Sequence, residues 1–411
     1  MARKIHAGAV PASLATVSGR SLGWGMFRVF CLFLISLLPA TGCIWDRDTW
    51  REEAKGRIDT LKAITGWFDR YPPRYYEMRL DRVTKELEAD PRKLDLYDDA
   101  GVACNRLGRY DEAIAWMAKK KAVLDTIQGT SANMDRYRYH ANLGSFLGNR
   151  WATRPAAERN ADFSDLKEAT KHIAEAISLN PDAHFGREKY QLKLFQWLQQ
   201  PAEQNDATEN PEQNFVGVPY IHRQIDPGGL KAYPELADAE SGLTGLIHLG
   251  SAWESVDVFD ALGSVVQADG ASSLAFLAET RIQELEKDGH QSLHPSQVHS
   301  RRSHGEYVQS GQLLDKWYEQ TRGLAKDRET AWIAYQSNRF DQGMHPDTHP
   351  DFWREWKDPK FPELPRPPMT TQEKATVFVA VVAGLVVAAI GLFIGLKWKK
   401  TNARKHALAF P

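Results

Sequence analysis

Residues Tyr97 to Asp125 read YDDAGVACNRLGRYDEAIAWMAKKKAVLD, and their spacing predicts two helices joined by a tight turn. In the first, Tyr97, Ala100, Gly101 and Cys104 share one face. Gly108 ends that helix, and Tyr110 opens a second that turns Ala113, Ile114 and Met117 inward. Gly101 and Ala113 lack bulk where two antiparallel helices come closest, so the backbones can approach and bury the larger residues around them. The same helical spacing continues outward in both directions, which predicts an all-α body.

Away from this hairpin the pattern weakens. Residues 74–91 (RYYEMRLDRVTKELEADP) have the form of a second helix closed by Asp90-Pro91. Within 135–181, Leu143, Gly144 and Leu147 mark a first helix, and Ala169, Ile173 and Ala176 mark its partner, ended by Asn180-Pro181. Trp151 to Asp162, between the two, reads as an inserted loop. Residues 256–286 fit again through Phe259, Leu262, Gly263, Val266, Gly270 and Ala275, although Glu279 stands at an expected apolar position.

Ala100-Gly101, Leu107-Gly108-Arg109-Tyr110 and Glu112-Ala113-Ile114 resemble the tetratricopeptide repeat (TPR), a helix-turn-helix unit of about 34 residues. The resemblance is best over 94–125 and departs at Ala100, where leucine is common, and at Lys120, where a small residue is usual. The unit also lacks a closing proline. It implies a TPR-like solenoid with irregular insertions, in which Tyr97, Gly101, Gly108, Tyr110, Ala113, Gly144, Ala169 and Pro181 serve packing. It also implies a concave ligand groove lined by the first helices, for which Asn105, Arg109, Arg138 and Asn142 are the polar candidates. A helical domain without repeats is the alternative these residues leave open.

The two ends carry topology. Val29 to Pro39 (VFCLFLISLLP) is an apolar stretch preceded by Arg28, the size of a signal-peptide core. It runs into Ala40-Thr41-Gly42-Cys43, which resembles a bacterial lipobox with Ala40 where leucine is usual, and which implies lipid on Cys43. Met26, followed by Phe27-Arg28, is the expected true start. Ala375 to Leu396 carries no charge over 22 residues, enough to cross a bilayer, and is followed by Lys397, Trp398, Lys399 and Lys400. Gly391 and Gly395 form a GxxxG pair, with Gly384 two turns earlier, a face on which a homodimer could form in the membrane. The segments expected are a signal and lipobox region over 1–43, a body over 44–357, a proline-rich stalk over 358–374, a spanning helix over 375–396 and a basic cytoplasmic tail over 397–411.

Composition narrows the function. The 411 residues are 42% hydrophobic and 26% charged, with 52 basic and 53 acidic side chains, which excludes a disordered polymer and leaves no basic footprint for nucleic acid. With Cys31 in the signal and Cys43 lipidated, Cys104 alone remains in the body, so the fold must rest on its core. No phosphate loop, HExxH or CxxC occurs. His290, His294, His299 and His304 form one histidine group, and His345 and His349 another with Asp347 and Asp351; both fall in proline-containing segments that read as polar surface loops. Imidazole and carboxylate suit zinc, so a metal site or a metal-dependent enzyme is the alternative reading of these loops. Trp353, Trp356 and Phe361, after a last helix expected over Ser310 to Asn338, read as a cap on the solenoid's end.

The expectation is therefore a single-pass protein of the bacterial cytoplasmic membrane with its body outside. It is a non-enzymatic scaffold or adaptor for a protein or peptide partner in the envelope, and it needs no cofactor. A self-associating structural component of the envelope is the other class left open.

Overall fold

The computed structural model describes residues 59–181, 183–200, 214–218, 229–294 and 311–365, with a few positions between 378 and 388. Among the described residues every regular element is a helix. Besides short 3-10 turns, these are the α-helices α1 (Thr60–Thr65), α2 (Pro73–Ala89), α3 (Leu94–Arg106), α4 (Tyr110–Leu124), α5 (Asn133–Ala152), α6 (Ala156–Ala161), α7 (Ser164–Leu179), α8 (Arg187–Leu198), α9 (Ala239–His248), α10 (Val256–Ala268), α11 (Ser272–Lys287) and the long α12 (Gly311–Asp341).

The hairpin expected over 94–125 is α3 and α4, and its turn recurs between α10 and α11. Gly108 and Gly270 sit at φ 73° and 84°, in the left-handed region that glycine enters without strain. The next amide, on Arg109 or Ala271, donates to the carbonyl four residues before the glycine, on Cys104 or Val266, at 2.8 Å in both. That bond satisfies a carbonyl the ending helix would otherwise strand. The weak unit at 256–286 therefore turns as the strong one does.

Cross-helix contacts fix the directions. Asp98 meets Lys120, and Gly101 faces Met117, so α3 and α4 run antiparallel. His140 meets His172 and Arg150 meets Asp165, so α5 and α7 do the same. Asp98 meets Asn142 and Asn105 meets Asn149, so α3 and α5 run parallel; α8 follows, through Gln191 to Ser145. The result is a row of hairpins whose first helices lie side by side. A Cβ on Gly101 would fall 2.9 Å from both Met117 and Phe146, and one on Gly144 2.8 Å from Ile173, so both glycines mark close approaches. Ala113 and Ala169 are fully buried and Tyr97 nearly so, whereas Pro181 is exposed and only ends α7.

Several expectations need correction. Equivalent first-helix positions step 44 residues from α3 to α5, about ten more than the TPR unit length. The extra length lies in the linker after α4 and in α5 itself, which is 20 residues long. The loop expected over Trp151 to Asp162 contains α6, folded back because the Trp151 indole donates to the carbonyls of Arg159 and Asp162 at 3.3 and 3.1 Å. The stalk does not begin at 358. Asp358 is held by Arg328 at 2.6 Å, Phe361 packs edge-on against Trp67, and Trp317 donates to the Glu363 carbonyl at 2.8 Å.

The row also closes on itself. α1 lies against α9, α11 and α12, while α2 packs on α3 and α12. Arg322 of α12 donates to the Thr65 carbonyl at 2.9 Å, and Phe68 stacks on His248. Around Trp253 the guanidinium groups of Arg70, Arg281 and Arg322 lie 4.6, 3.8 and 5.1 Å from the ring. Glu284 accepts from Arg322 and Tyr318 and pairs with Arg281. Burial would raise its carboxyl, but the Arg322 hydrogen bonds and the Arg281 charge outweigh that and hold it well below the usual range. Trp353 stacks on Trp332 at 4.2 Å, and Trp356 lies against Tyr335, so these two tryptophans cover α12.

No helix among the described residues is long and apolar enough to cross a membrane. Of the stretch 375–396 only seven positions are described; they are helical, and Phe378, Val379, Val381, Val382 and Leu385 are exposed. The segments 1–43 and 397–411, with Cys43, and the glycines Gly391 and Gly395, lie outside the described residues.

Candidate functional site

The first-helix face expected to line a groove is occupied by the protein's own polar ladder. Asp98, Gly101 and Asn105 of α3 share their spacing with Asn142, Ser145 and Asn149 of α5, and with Glu188, Gln191 and Phe195 of α8. Asn142 donates to Asp98 at 3.0 Å, Asn149 to Asn105 at 3.1 Å and Gln191 to Ser145 at 3.2 Å. At the far end Tyr137 donates to Glu188 at 2.8 Å. The Lys120 ammonium reaches across from α4 to Asp98 at 2.6 Å. Burial pushes the Asp98 carboxyl above its usual range, against the pull of Lys120. Asn105 and Asn142 are 5% and 0% exposed, which corrects their reading as groove residues: their amides are spent inside the stack. Of the four groove candidates, Arg109 is exposed and Arg138 partly so.

One accessible polar cluster lies on the rim made by α4, α5 and α7. His140 and His172 are half-buried, with their Nδ1 atoms 2.9 Å apart, so one ring donates to the other and the two cannot both be protonated on Nδ1. Burial and the neighbouring His172 push His140 down to about 4, and burial lowers His172 as well. Tyr139 stands edge-on to both rings. Lys121, paired with Asp125 at 2.7 Å, and Lys171, paired with Glu168 at 2.5 Å, flank them. This surface offers neutral imidazoles between charged groups of both signs. Sequence reasoning missed the pair because the two histidines are 32 residues apart and on different helices.

Among the described residues the histidine segments do not form one site. His345 is 5% exposed and His294 2%, which corrects their reading as parts of surface loops. His345 accepts from the Asp347 amide through Nδ1 at 3.1 Å, so its Nε2 carries the proton and donates to the Tyr75 carbonyl at 3.1 Å. The Asp347 carboxylate is clamped by Arg79 through two bonds of 2.8 Å and by Arg82 at 2.9 Å. His294 packs on Trp197 at 4.4 Å, and burial lowers its basicity. His290 is half-buried beyond α11, His349 turns back on the His345 carbonyl, and His299 and His304 lie outside the described residues. Among the described residues no group of three or more histidine, cysteine or acidic side chains is placed to hold a metal ion. Cys104 is buried and unpaired by any disulfide, and burial raises its thiol to about 11. No protein-family model, no curated protein and no solved structure matches the chain.

Proposed function

We propose that the chain is a membrane-anchored scaffold or adaptor of the bacterial envelope, with a TPR-like body that presents a protein-binding rim outside the cytoplasmic membrane. The observation that carries this reading is the accessible cluster of His140, His172, Lys121 and Lys171, backed by the buried Tyr139 ring, on a stack whose inner polar face is hydrogen-bonded within itself. Stacked helical hairpins hold such surfaces rigid, so a partner meets groups already in place. The step from fold to function rests on analogy of architecture.

Photo-crosslinking in intact cells tests it. Crosslinkers replace Lys121, Asp125 or Lys171 at the rim, with Lys287 at the end of α11 as the distant control, and the products are purified through the C-terminal tail. The expected result is the same one or two envelope proteins from the rim positions and none from Lys287. Self-crosslinks alone would replace the adaptor with a structural oligomer, for which Gly391→Leu and Gly395→Leu are the next variants.

A further inference from the structure

The chain enters and leaves the body at one pole. Arg328 of α12 bridges Asp69 and Asp358, both at 2.6 Å. Further along, Phe361 packs edge-on against Trp67 at 5.3 Å and Trp317 at 6.2 Å, with the Lys62 ammonium 5.8 Å from its ring. Glu363 then takes the Trp317 indole hydrogen bond. Followed outward, 69 to 62 and 358 to 363 both pass from Arg328 toward the start of α12. The two exits therefore point the same way, although they are about 300 residues apart in sequence.

The sequence beyond each exit is apolar. Val29 to Pro39 lies before the entry and Ala375 to Leu396 after the exit. Arg28 precedes the first with no acidic residue between it and Asp46, while Lys397, Lys399, Lys400, Arg404 and Lys405 follow the second. The basic-flank rule thus puts the body on the same side for both stretches. The geometry points to a lipid bilayer as the partner of this pole: residues 59–70 and 358–365 form a membrane-facing base, and both ends anchor in the same membrane. This rests on the envelope reading above and adds the orientation of the body and the membrane that holds its N-terminal anchor.

Reach separates the same membrane from two facing ones. Residues 366–374 extend at most about 30 Å and residues 44–58 at most about 50 Å. A body of about 300 residues is roughly 50 Å across. Anchors in opposed membranes would require one linker to run back over the body, which would use up the whole of the longer one. A common bilayer needs no such detour.

The test uses the full chain with a specific protease site placed in 366–374, in 44–58, or in both, cleaved in spheroplasts and followed by separation of the two membranes by density. The expected result is that each single cut leaves the body with the cytoplasmic membrane and only the double cut releases it. Release by the cut in 366–374 alone, or movement of the body to the other membrane's density, would overturn the common anchor while leaving the envelope reading intact. An uncut chain found in the soluble fraction would overturn both.

Discussion

Lys120 stands where the repeat pattern expects a small residue, and the reason lies across the hairpin. Its side chain is 0% exposed and its ammonium pairs with Asp98, which Asn142 also reaches from α5. A buried ion pair is weak evidence of net stabilisation, because both charges have been stripped of water, but removing one partner leaves the other stranded. Asp98→Ala should cost the body about 3–5 kcal/mol. Asp98→Leu combined with Lys120→Met, which replaces both charges with apolar groups, should recover most of that loss. Denaturant midpoints of Asp98→Leu, Lys120→Met and the double variant measure the coupling; additive losses would mean that the pair does not act as a unit. The ladder was written in the sequence as the recurring spacing of Asp98, Gly101, Asn105 and its two echoes. It was hard to see because a polar stripe on a helix reads as a solvated face until the 44-residue step that brings two stripes together is known.

At the scale of helices, the small residues divide into those that permit contact and those that leave room. A Cβ on Gly148 of α5 would meet the Phe195 ring of α8 at 2.4 Å, inside any real contact distance, and Phe195 is fully buried. On Gly263 of α10 the nearest atom would be the Ala278 Cβ at 3.5 Å, an ordinary contact. Both glycines sit within helices, where alanine alone is favoured by about 1 kcal/mol. Gly263→Ala should therefore raise the melting temperature. Gly148→Ala should lower it, since overpacking costs about 1–3 kcal/mol. Thermal unfolding of the two variants decides; a rise in both would mean that α5 and α8 pack more loosely than described. The hairpins themselves were legible because a glycine at the turn and small residues at the crossing are local signals. Their spacing was less so, because no local residue reports how long a linker or an added helical turn will be.

On the scale of the whole molecule, closure decides the shape, and it depends on partners 257–270 residues apart. No periodic pattern connects such positions, which is why a free concave groove was the natural expectation. The segment after α12 returns to α2, where His345 holds the Tyr75 carbonyl and Asp347 engages Arg79 and Arg82. His345 works there as a neutral ring. A second proton on Nδ1 would remove the acceptor used by the Asp347 amide and add a cation beside two guanidinium groups. Burial is the first cause of its pKa falling from 6.5 to about 4, and the Arg79 charge adds to it while Asp347 opposes it. A histidine depressed in the folded state binds its proton more readily when unfolded, so its contribution is present above pH 6.5 and fades as pH falls toward 4. The full shift corresponds to about 3 kcal/mol. His140 titrates in the same direction and window, so the native chain carries both contributions. His345→Asn should flatten part of the decline in melting temperature between pH 7 and 4.5, and His345→Asn with His140→Asn should flatten more. If the single variant kept the full native slope, the ring at 345 would not be closing the molecule in its neutral form. Limited proteolysis at pH 5 gives the structural counterpart, with cleavage between Gly343 and Asp358 expected before any cut within α3 to α8, because the closing segment should loosen before the polar ladder does.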